Sequence, residues 1–235
     1  MNATKLPTLE KPADILARYE EALAGDHLTQ GEWHGEKEGR WLACALGVIG
    51  DDVSSPRDCP ATVMPRWLAQ MVPEFFDRQK FEAAKAWGRE FYAALAACDG
   101  NVPFDTVHHW HAHTVCPLGI EAAKQRERDT APHEALRDLH LRALAGEKIA
   151  ADEWRPVLKD AYAYANANAY ANANAYANAN AYAYAYANAN AYAYAYANAN
   201  ANANAYANAY ANAWKTLADG MVAAIRARTE KNDDR

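Results

Sequence analysis

The stretch AYAYANANAYANANAYANANAYAYAYANANAYAYAYANANANANAYANAYANA, Ala161 to Ala213, has alanine at every odd position and only tyrosine or asparagine at every even one. Strict period two is the pattern of a strand, with alanine on one face and Tyr or Asn on the other. Propensity points the other way, because alanine is the best helix former and the tract averages a penalty of only about 0.3 kcal/mol per residue. Length weighs against a single strand, which rarely exceeds about 10 residues. A folded sheet would need corners, yet no glycine lies between Gly146 and Gly220 and no proline follows Pro156. Asparagine can turn corners, so a β-solenoid over 161–213 with the unit ANANAY as its rung stays open as the alternative.

The flanks favour helix. Trp154, Val157, Leu158 and Ala161 enter at helical spacing, and Trp214, Leu217, Met221 and Ile225 leave on one face. In a helix a step of two residues turns about 200°, so Tyr162, Tyr164, Tyr170 and Tyr176 point in four directions and no apolar stripe forms. An unbroken helix would run roughly 80 Å. Two or three antiparallel helices, packed through alanine with tyrosine rings in the gaps, are the expectation. Tyr and Asn codons differ by one base, so expansion of a two-codon unit explains the repeat as a spacer, without selection for any one side chain.

Working back from the tract, composition changes near Asp160. The 235-residue chain reads as a helical N-terminal domain, 1–150, followed by a repeat region with a closing amphipathic helix, 151–235. In EKPADILARYEEALAG, Pro12 suits a first turn, Ile15, Leu16, Tyr19 and Leu23 share a face, and Gly25 stands where a left-handed cap is wanted. RWLACALGVIG, apolar nearly all round from Trp41 to Ile49, reads as a helix buried among others. GDDVSSPRDCP is a loop by composition. Pro65 and Pro73 each fit the start of a short helix. Phe81, Ala84, Trp87 or Gly88, Phe91, Leu95 and Cys98 form a stripe that Gly100 ends. Asp105 can cap a helix through TVHHWHAHTVCPLGIEAAKQ, kinked at Pro117. A further helix covers about Pro132 to Ala145, with Gly146 as its stop. Nothing in the first 160 residues reads as an alternating strand, so the expected fold is all-α, a helical bundle.

Charge narrows the function classes. The net charge of −6 comes without any run of Lys and Arg, which argues against a nucleic-acid partner. No apolar run approaches the roughly 20 residues of a membrane span and MNATKLPTLEKPAD has no signal-peptide pattern, so a soluble, cytoplasmic protein is expected. Cys44, Cys59, Cys98 and Cys116 include no CxxC pair and are expected to be free thiols.

Chemistry has one main candidate location, TVHHWHAHTVCPLG, although histidines on a helix surface are more often solvated or hydrogen-bonded side chains than ligands. On an α-helix His109, His113 and Cys116 share a face, and imidazole and thiolate are transition-metal ligands. Zinc is therefore the alternative to having no cofactor, with water, His34, His108 or His140 as the fourth ligand. Val107, Trp110, Thr114 and Leu118 form the opposite, core-facing stripe. Trp110 stands where HExxH would place glutamate, so the metalloprotease motif is absent. A Cys–His nucleophile pair at Cys116 rests on the same spacing. In AGDHLTQGEWHGEKEGR, Asp26, Glu32, Glu36 and Glu38 stand near His27 and His34, but the Gly and Lys between them read as a solvated loop.

ACALGVIG, CPATVMPRWLAQMVPEFFD, HHWHAHTVCPLGIEAA, LHLRALAGEKIAADEWRPV and WKTLADGMVAAIRA together resemble a group of uncharacterised bacterial and phage proteins. The resemblance covers most of the chain beyond about residue 40. It implies a helical N-terminal part, a variable alanine-rich stretch and a closing helix, and no activity. The strict alternation here departs from that group's mixed composition. The expected function is non-enzymatic, through contact with a protein partner or self-association or as a helical scaffold. The competing reading is a metal-dependent hydrolase centred on His109, His113 and Cys116.

Overall fold

The computed structural model describes residues 6–125, 127–169 and 206–229, and these form two compact units. One holds the described residues up to Pro103 together with those from Ile225 onward; the other holds those of Phe104–Ala224.

In the first unit, helix α1, Pro12–Ala24, starts with proline in its first turn and buries Ile15, Tyr19 and Ala22. The residue in left-handed conformation after it is not Gly25 (φ −87°) but Asp26, at φ 54°. Strands β1, His34–Lys37, and β2, Arg40–Ala43, form an antiparallel hairpin pairing Lys37 with Arg40 and His34 with Ala43. Short helices α2, Arg66–Ala69, and α3, Val72–Asp77, follow, opened by Pro65 and by Pro73 as their positions demand. Helix α4, Phe81–Ala97, then packs along α1. These two helices approach closely because residue 88 is glycine: a Cβ there would overlap the Tyr19 hydroxyl, which instead donates to Lys85 O at 3.1 Å. Around that contact Trp87 stacks on Phe91 at 4.9 Å and Tyr19 meets Tyr92 at 5.5 Å. Burying each such ring contributes about 2 kcal/mol.

The hairpin corrects two expectations, that no strand occurs in the first 160 residues and that Trp41–Ile49 is a buried helix. The run is buried from Ala43 onward, but as the end of β2, a loop, and one 3-10 turn at Gly47–Ile49. An all-round apolar run cannot distinguish helix from buried strand. Here the backbone bonds go sideways: Ala43 N donates to His27 O at 2.9 Å, Thr29 N to Ala43 O at 3.0 Å, and Cys44 N to Trp33 O at 3.1 Å. Gly47 lies so close beneath Trp33 O that any side chain would collide with it. Among the described residues the fold is therefore mainly α with one hairpin, rather than all-α.

In the second unit α5, Asp105–Trp110, runs into a π-helical turn, His111–Val115, and then α6, Cys116–Lys124. This wide turn stands just before Pro117, where a kink was expected. Proline has no N–H to give and its ring clashes with the carbonyl four residues back, and one wide turn relieves both. Helix α7, Ala131–Leu144, ends before Gly146 at φ 88°. Helix α8, Ala151–Ala169, contains Pro156 and leads into the tract, and α9, Tyr206–Thr229, leads out of it. The closing stripe is as expected, with Trp214, Leu217, Met221 and Ile225 all buried. Residues 170–205 lie outside the described residues, and with them both the antiparallel helices expected there and the β-solenoid alternative. No helix among the described residues is long and apolar enough to cross a membrane.

Candidate functional site

The HHWHAH segment does bring histidines together, though not as a straight helix would. His109 and His113 lie with ring centroids 4.4 Å apart. Cys116, expected on their face, is fully buried while His113 is exposed, because the π turn adds a residue to the circuit between them. Among the described residues no group of three or more His, Cys, Asp and Glu side chains is placed to hold a metal ion. Burial also pushes the Cys116 thiol up to about 12, against the opposing charge of Arg137, so it is a thiol rather than a nucleophile at neutral pH. The other cysteines behave alike: burial raises Cys44 to about 11 and Cys59 to about 12, and raises Cys98.

A denser cluster forms on the other side of the segment. His108 on α5 and His140 on α7 meet Nδ1 to Nδ1 at 2.9 Å, so one ring donates and its partner must present a bare nitrogen. His111 stacks on His140 at 4.4 Å with planes 17° apart, and its Nδ1 donates to Val107 O at 2.9 Å. Trp154 of α8 closes the group, parallel to His108 at 5.7 Å and edge-on to His140 at 4.9 Å. His111 and His140 are buried and His108 half-buried. Burial, reinforced by the neighbouring imidazole of His108, lowers His111 to about 4; burial and the same neighbours hold His140 well below its ordinary value. Burial lowers His108 as well, against Asp105. At neutral pH the three rings are uncharged and serve as aromatic packing between helices.

His111 was not among the residues singled out from the sequence. The available signal was its place four positions after Val107 and next to Trp110, on the side that faces the core. Trp110 and Val107 do lie on that stripe, buried, whereas Thr114 and Leu118 are only half-buried.

The cluster is continuous with a second anchor. Arg142, at the end of α7, donates from Nε to Glu147 at 2.8 Å and from Nη1 to Glu153 of α8 at 3.0 Å, tying the turn between them. On the outgoing side Trp110 Nε1 donates to Leu217 O at 2.8 Å, and Thr114 fills the notch left by Gly220 on α9. Side chains of α5 and its π turn therefore grip both the helix that enters the tract and the helix that leaves it.

The carboxylate-rich segment is dispersed. His34 Nε2 approaches Gly47 O at 3.1 Å and Asp51 at 4.0 Å, His27 lies edge-on to Trp41, Glu38 meets Arg40 at 3.7 Å, and Glu36 is exposed. Among the described residues its carboxylates and histidines make no shared acid–base pair within the segment, and residues 34–40 of it belong to the hairpin rather than to the loop expected. No family model, curated protein or solved structure matches the chain.

Proposed function

We propose that the protein works by contact, as a helical scaffold that holds the two ends of its Ala/Tyr/Asn tract and offers the tract to a second copy of itself. The observation that supports this reading is the double grip just described: Trp154 on the histidine cluster at the entry, and Trp110 on Leu217 with Thr114 against Gly220 at the exit. His108 and His140, whose pKa values burial lowers, take part in this grip as packed groups against Trp154. A tract of low complexity offers the same few side chains many times and so can meet another copy in several registers, and tyrosine is favoured in protein interfaces. A soluble, cytoplasmic setting, no resident cofactor, no nucleic-acid partner and the likeness to bacterial and phage proteins belong to the same proposal.

Sedimentation velocity over a concentration series tests it. The full chain is expected to associate as concentration rises, and the variant with every tract tyrosine changed to serine to stay monomeric. A full chain that is monomeric throughout the series ends the self-association reading.

The hydrolase reading retains one specific observation, the pairing of the His109 and His113 rings. Two imidazoles one helical turn apart can chelate zinc. Stoichiometric zinc in the purified protein, lost in the double variant His109→Ala and His113→Ala, would carry that reading; metal-free protein would remove it.

A further inference from the structure

We propose that the cleft beside the β1–β2 hairpin binds a zwitterion of amino-acid size with an apolar side chain, its carboxylate held by Lys37 and Arg40 and its ammonium by Asp26. This site lies in the first unit and is independent of the tract. The cleft has a volume of about 380 Å³, in the range of small-molecule sites.

Hairpin register builds it. Lys37 and Arg40 stand directly opposite each other on the last rung, so two cations share one face at a position where like charges repel. Leu42, two residues along β2, lies on the same face, and its partner across the ladder is Gly35, over which the Glu32 carboxylate lies at the edge of the cleft. The apolar lining of the cleft is Leu42, Leu28 and Phe81, with Leu28 only 4% exposed. Asp26 reaches the rim from the turn after α1, where the chain passes through the left-handed region at φ 54°.

The charges in the cleft are not spent on one another. Arg40 has an outer neighbour in Glu38 at 3.7 Å, an exposed contact of little strength, and neither Lys37 nor Asp26 is ion-paired with a described residue. A simple anion would meet two cations but also the Asp26 carboxylate. A simple cation would meet Asp26 but also two like charges. A zwitterion answers both signs at once, and its side chain covers the apolar floor.

Calorimetric titration of the full chain with L-leucine and L-phenylalanine, and with leucinamide and N-acetyl-L-leucine as controls, tests the proposal. At least one free amino acid is expected to bind with a Kd of about 1 mM or tighter, and each blocked leucine at least tenfold more weakly than leucine, a factor of about ten per 1.4 kcal/mol. Asp26→Asn keeps the left-handed turn, which asparagine tolerates, and should remove the discrimination between leucine and N-acetyl-leucine. Lys37→Gln with Arg40→Gln should remove that between leucine and leucinamide. Circular dichroism matching the parent confirms that both variants fold. No heat from either amino acid at about 10 mM, equal binding of free and blocked leucine, or unchanged discrimination in folded Asp26→Asn would overturn it.

Discussion

His111 has exchanged water for the face of His140, and acid should reveal the cost. Its folded pKa, about 4, lies below the ordinary imidazole value of 6.5, because burial disfavours the charged ring. In the window between those values the unfolded chain binds a proton that the folded chain refuses. Stability from this group is therefore fully present above pH 6.5 and is lost as pH falls toward 4, by up to roughly 3 kcal/mol. His140 and His108 shift in the same direction and add to the loss. Urea unfolding at pH 7 and pH 4.5 should show the decrease, and His111→Leu should show a smaller one; equal decreases in parent and variant would mean another group governs the acid response. The sequence made the histidines conspicuous by number, but which of them pack and which face water depends on the π turn, a geometry no local pattern announces.

At the scale of elements, the hairpin shows how one turn overrides an apolar run. Glu38 and Gly39 both have positive φ, 55° and 77°, the requirement of the tight two-residue turn that joins β1 to β2. A Cβ at Gly39 meets no steric obstacle nearby, so the cost of Gly39→Ala comes from backbone conformation alone. That variant should lose about 1 kcal/mol, read as a lower urea midpoint with an unchanged slope; an unaltered midpoint would show that the turn does not set the strand pairing. In the sequence the Gly and Lys residues of this segment read as a solvated loop, and the apolar residues after it supported helix as well as strand. Where periodicity was helical and bounded by Pro or Gly, as in α1, α4 and α7, element type and limits followed from local chemistry. The left-handed residue after α1 is Asp26 rather than Gly25, and glycine at 25 instead gives room to the His27 ring, which a Cβ would approach at 3.1 Å.

For the whole molecule, the two units differ in where their buried imidazoles lie. The stacked histidines, and His133 with its burial-lowered pKa, all belong to the second unit. Amide hydrogen exchange at pH 4.5, corrected for the intrinsic rate, should therefore show protection falling in α5, α7 and α8 while α1 and α4 keep theirs. Uniform loss across both would contradict a local acid effect. What the sequence by itself determined was the helical character of most elements, the stops at Gly100 and Gly146, the short proline-led helices and the buried stripe of the closing helix. These follow from spacing and from backbone restrictions carried by single residues. Tertiary structure alone decided that Trp41–Ile49 would leave the helix for a hairpin edge, that Cys116 would turn inward from His113, and that His108, His111, His140 and Trp154 would meet. Each depends on partners far along the chain, whose backbone groups and ring faces compete with local preference and are absent from any short window of sequence.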